Sequence, residues 1–83
     1  MDERIQNTLT SHLDSQRIAL MEKYLFFDGE YRRLWELNLK NKASEDDLIK
    51  ISNYKLNKDL LVQQIKQIDR MYEEISQNRY NFE

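Results

Sequence analysis

The sequence has no cysteine, no proline, one glycine and one histidine. Without cysteine there is no disulfide framework, no thiolate metal site and no thiol nucleophile. One glycine cannot build the Gly-rich loop that cradles phosphate. The turn residues that punctuate all-β chains are missing, and strand-like alternation is nowhere sustained, which excludes a β architecture. Long apolar runs are absent as well. The longest, Ile18–Met21 and Tyr24–Phe27, are four residues each. A secretory leader needs a basic start and an apolar core of about 7–15 residues, and a membrane helix needs about 20. The expectation is a chain with neither, residing in the cytoplasm.

What is there is charge. Of 83 residues, 34% are charged and 40% hydrophobic, with 13 basic against 15 acidic side chains and a formal net charge of −2. That length supports one domain, spanning 1–83.

The apolar residues fall at helical spacing. Leu20, Tyr24, Phe27, Tyr31 and Leu34 step by 4, 3, 4, 3, and Leu61, Ile65, Ile68, Tyr72 and Ile75 repeat the pattern. Such steps hold side chains on one stripe of a helix, as in a coiled-coil seam. The polar stretch Asn38–Ala43 separates the two runs, and Ser44-Glu45-Asp46-Asp47 follows it. Ser44 suits an N-cap, with Asp47 at the acidic position of a capping box. Three acids in one turn also favour the positive end of a helix dipole. The reading is all-α: an antiparallel, coiled-coil-like two-helix hairpin. Helix one covers about 3–39, the turn about 40–44 and helix two about 45–78, with a short C-terminal tail.

Asp28-Gly29 offers an alternative, because this dipeptide favours turns and glycine costs a helix ~1 kcal/mol against alanine. A break at Gly29 would give a three-helix bundle. The stripe crosses it in phase, however, from Tyr24 and Phe27 to Tyr31 and Leu34, which favours continuity. Charges spaced i,i+4 (Asp28, Arg32, Glu36 and Lys40, then Asp46–Lys50 and Arg70–Glu74) suit solvated faces of both helices.

Folding the helices about residues 40–44 makes facing residue numbers sum to about 85. Leu34 then meets Ile51, Tyr31 meets Tyr54, Tyr24 meets Leu61, Leu20 meets Ile65 and Leu13 meets Tyr72, while Phe27 faces the stem of Lys58. The most buried residues are expected to be Leu20, Tyr24, Phe27, Tyr31, Leu61, Ile65, Ile68 and Tyr72. A second apolar set has no place in this seam. A short chain with surplus apolar surface completes its core by oligomerisation or by a partner. Met21, Leu25, Phe26, Trp35 and Leu39 are therefore the expected partner-binding residues, on helix one. Met21, Leu25, Trp35 and Leu39 share a row that Asp28 and Arg32 interrupt.

Charge is distributed unevenly. Residues 31–58 hold seven basic and four acidic side chains, a balance of +3, whereas residues 1–30 balance at −3 and residues 59–83 at −2. In a hairpin the turn end is basic and the open end acidic. Arg32, Arg33, Lys40 and Lys42 are candidates for contacts with phosphate or an acidic partner. A dedicated nucleic-acid binder is usually basic overall, so nucleic acid is the second reading and protein the first.

Catalytic chemistry finds little support. Ser11, His12 and Asp14 are near neighbours in sequence, but i,i+1 and i,i+2 residues do not face one another on a helix. Asp46-Asp47 and Glu73-Glu74 are paired acids in sequence only. No catalytic, cofactor or metal site is assigned. The sequence points to a non-enzymatic protein-interaction module (adaptor, assembly factor, small chaperone or inhibitor) whose partner is another protein or a second copy.

Overall fold

A computed structural model of the protein describes the backbone of residues 3–81 and the side chains of residues 3–77. It holds two helices, α1 (Glu3–Leu39) and α2 (Glu45–Asn81), folded back on one another. Each has 37 residues, and the molecule measures 62 × 16 × 15 Å. The fold is the all-α hairpin that the apolar spacing predicts. α2 runs three residues past the expected end at 78, through Asn81. No helix among the described residues is long and apolar enough to cross a membrane.

The turn is held by caps on both sides. Lys42 N–H donates to the Leu37 carbonyl at 2.9 Å and Asn41 N–H to that of Asn38 at 3.0 Å. Asn41 has φ 57°. These two bonds around a left-handed residue form a Schellman cap, which satisfies carbonyls that the end of α1 leaves unpaired. Asparagine tolerates that conformation better than most residues. At the start of α2, Asp47 N–H donates to Ser44 Oγ at 3.2 Å and Ser44 N–H donates to Asp47 Oδ2 at 3.0 Å. This is the reciprocal capping box read from the sequence. The bond from Ser44 N–H holds the Asp47 carboxyl below its ordinary range.

α1 is unbroken at Gly29, which rules out the three-helix alternative. The glycine has no positive φ, and a Cβ there would meet nothing within 4 Å. Gly29 is neither a turn nor a close approach; it is an exposed helical position.

Among the described residues the seam contains five buried side chains: Leu13 and Leu34 on α1, and Ile51, Leu61 and Ile68 on α2. Leu61 and Ile68 were expected among the most buried. Leu20, Tyr24, Phe27, Tyr31, Ile65 and Tyr72 are on the seam but half-buried. Two helices enclose a seam from two sides only. Tyrosine keeps its hydroxyl at the wet edge, and the side chains that are buried are all branched aliphatics. Leu34, with 1% exposure, takes the innermost position close to the double-capped turn. Thr10, also half-buried, satisfies its hydroxyl by donating to the Gln6 carbonyl at 2.9 Å.

Candidate protein-interaction surface

The hairpin has two flanks, one on each side of the seam. On one of them Met21, at the midpoint of α1, is half-buried. It shares a shallow depression of about 280 Å³ with Tyr24, Val62, Ile65 and Lys66. Its other side adjoins Ile18 and Leu25, which are 60% and 62% exposed. Ile18, Met21 and Leu25 step by 3 and 4, so they share one row. With Val62 across the seam they form a continuous apolar strip at mid-length.

Trp35 and Leu39 continue the row toward the turn, beyond Asp28 and Arg32. The Trp35 ring stands edge-on to Tyr31, with centroids 6.2 Å apart, and Leu39 is 79% exposed. Phe26 does not belong with them. It follows Leu25 by one residue, about 100° around the helix, and packs edge-on against Phe27 with centroids 5.6 Å apart. Of the five partner-binding candidates, four lie on one flank, in two clusters, and Phe26 lies away from them.

The charged residues between the clusters form a feature that the sequence reading missed. Lys58 Nζ donates to Asp28 Oδ1 at 2.7 Å, with both side chains largely shielded. The same ammonium lies 4.4 Å from the centroid of Tyr31 and 5.6 Å from that of Tyr24. Phe27, expected to face Lys58, packs instead on Tyr54 at 5.7 Å. The available signal was Lys58 itself, a cation at a seam position between Tyr54 and Leu61. Hydrogen bonding from Lys58, aided by the charges of Lys58 and Arg32 and opposed by desolvation, holds the Asp28 carboxyl below its ordinary range.

Arg32 bonds Asp28 Oδ2 at 3.0 Å and Arg33 bonds Glu30 Oε2 at 2.8 Å. The Arg33 bond lowers the pKa of Glu30 and raises that of Arg33. Two of the four expected phosphate contacts are therefore engaged with carboxylates. Lys40 and Lys42 are exposed, and among the described residues neither has an ion pair. The expected ladder from Asp28 to Lys40 reduces to its first rung, and neither Asp46–Lys50 nor Arg70–Glu74 closes. Toward the open end, Arg17 bonds Asp69 at 3.2 Å. There the Tyr72 hydroxyl donates to Asp14, a bond that favours the neutral phenol and raises its pKa.

The opposite flank also carries exposed apolar side chains: Leu60 shares a row of α2 with Gln64, Gln67 and Met71, and Leu60 is 63% and Met71 46% exposed. The depression on that flank, about 350 Å³, is lined by Gln16, Gln64 and Gln67 together with Leu20, Ile68 and Met71. Among the described residues no group of three His, Asp or Glu side chains is placed to hold a metal ion. No family model matches the chain, and neither does any curated protein or solved structure.

Proposed function

We propose that the protein is a non-catalytic interaction module that binds protein through the flank carrying Ile18, Met21, Leu25 and Val62. The observation that carries this reading is the open apolar strip at mid-length. A hairpin that buries five side chains among the described residues leaves aliphatic residues in water where a third helix would normally cover them. Contiguous exposed apolar surface with a charged surround is the usual character of a protein-binding patch. Trp35 and Leu39 extend the patch toward the turn and supply an aromatic anchor of the kind that dominates interface energetics.

The second reading, nucleic-acid contact through the basic turn end, is favoured by the +3 balance of residues 31–58. It is weakened by the engagement of Arg32 and Arg33 with Asp28 and Glu30.

Photo-crosslinking in cells producing the full chain separates the two. A photoreactive side chain at position 25 should give discrete, nuclease-resistant protein adducts, whereas one at position 67, exposed on the opposite flank, should not. Adducts that disappear with nuclease, or equal labelling from both positions, would remove the protein-binding reading.

A further inference from the structure

We propose that the occupant of this flank is a second copy of the chain, packed antiparallel to make a two-fold symmetric four-helix assembly. The proposal rests on the protein-binding reading above and specifies its partner.

α2 carries a row of alternating charge. Lys55, Asp59, Val62, Lys66 and Asp69 step by 4, 3, 4 and 3, so they share one stripe. Val62 and Lys66 line the same depression as Met21, and Asp69 bonds Arg17 across the seam. The stripe therefore lies on the flank that carries the apolar strip. Its four charged members are exposed. Read from Val62 outward, the order is antisymmetric: Asp59 and Lys55 on one side, Lys66 and Asp69 on the other.

Such a row complements itself when reversed. In an isologous interface the same patch serves both copies. With a two-fold axis through Met21 and Val62, perpendicular to the long axis, α2 lies along α2 of the second copy. Val62 then meets Val62, Asp59 meets Lys66 and Lys55 meets Asp69, each twice. A parallel arrangement that stacks α2 on α2 in register would set every charge against itself. On α1 the same axis sets Met21 against Met21 and Ile18 against Leu25. Asp28 approaches Asp14 of the second copy, but it is already neutralised by Lys58 and Arg32, and Arg17 lies beside that acid.

Whole-molecule features agree. Met21 is the central residue of α1 (Glu3–Leu39), and Val62 is one residue from the centre of α2 (Glu45–Asn81). The apolar strip thus sits where a two-fold axis must cross. Antiparallel pairing also lays the basic turn end of each copy beside the acidic open end of the other, as electrostatic complementarity requires. A flank 62 Å long and about 16 Å wide offers about 800–1,000 Å² per copy, against the ~800 Å² per partner of a stable interface.

The test is sedimentation equilibrium of the full chain with charge swaps at Asp59 and Lys66. These residues are seven apart, about 10 Å along one helix, and among the described residues neither has an ion pair. Any rescue must therefore pass through a second copy. Wild type should sediment at twice the 10.2 kDa of the chain. D59K and K66D should each weaken dimerisation at least about tenfold, since each creates two like-charge contacts. The double variant D59K/K66D should return to within about threefold of wild type, with helicity unchanged in all three. A chain that stays monomeric at all accessible concentrations, or a double variant no better than the singles, would overturn the proposal. A monomer that still crosslinks from position 25 to a different protein refutes the second copy alone. A monomer with no such adduct refutes the interface as well.

Discussion

Leu34 and Lys58 show how side-chain chemistry distributes the stability of a thin rod. Leu34 is almost wholly enclosed, so Leu34→Ala removes transfer energy and leaves a cavity. It should cost about 2–5 kcal/mol, measured by urea unfolding. A loss below about 1 kcal/mol would mean that the turn end relaxes around the gap. Lys58 works differently. Its ammonium is held between the Asp28 carboxylate and the Tyr31 ring, and it is the main cause of the lowered Asp28 pKa. A carboxyl that is more acidic folded than unfolded stabilises the fold above the ordinary carboxylate range, and this contribution fades as pH falls through the folded midpoint. An NMR titration should place the Asp28 midpoint below its ordinary 3.8 and show it rising in Lys58→Met. An unmoved midpoint would mean that Arg32 alone sets the charge. Spacing identified Lys58 as a seam residue, but it does not encode which way a long flexible side chain turns. The pair with Asp28, and the burial of Leu34 ahead of Tyr31, became visible only with the helices in place.

At the scale of elements, the helices and their caps follow from local chemistry. The capping box was readable because Ser44 and Asp47 carry the required oxygens at the required spacing. The Schellman cap was not, because Asn41 shared a polar stretch with Asn38 and nothing local singled it out for the left-handed conformation. Ser44→Ala should cost about 0.5–2 kcal/mol, and Asn41→Gly should cost nothing or stabilise slightly, since glycine adopts positive φ without penalty. Gly29→Ala should stabilise α1 by about 0.5–1 kcal/mol, because the added Cβ enters open space and alanine lowers the entropy of the unfolded chain. Thermal unfolding by circular dichroism checks all three. A Gly29→Ala variant that melts earlier would mean that the helix bends there in solution. α1 runs through Gly29 as the in-phase stripe predicts, and the alternative break does not occur, because one glycine cannot override a stripe that continues on both sides.

For the whole molecule, the sequence reading placed Met21, Leu25, Trp35 and Leu39 on a common row but could not show what lies across the seam. Val62 and the Lys55–Asp69 row join that surface only through the register of α1 on α2, whereas Phe26 lies off it because it is about 100° round α1 from Leu25. Association through this surface covers the flank centred on Met21 and leaves the opposite flank in water. Methyl NMR with a soluble paramagnetic agent reads this directly, because Met21 lies on the first flank and Met71 lines the depression on the second. As concentration is raised from monomer to assembly, or as a binding protein is added, the Met21 methyl should become protected while that of Met71 stays broadened. Equal broadening of both methyls in the associated state, or protection of Met71 instead, would contradict the account.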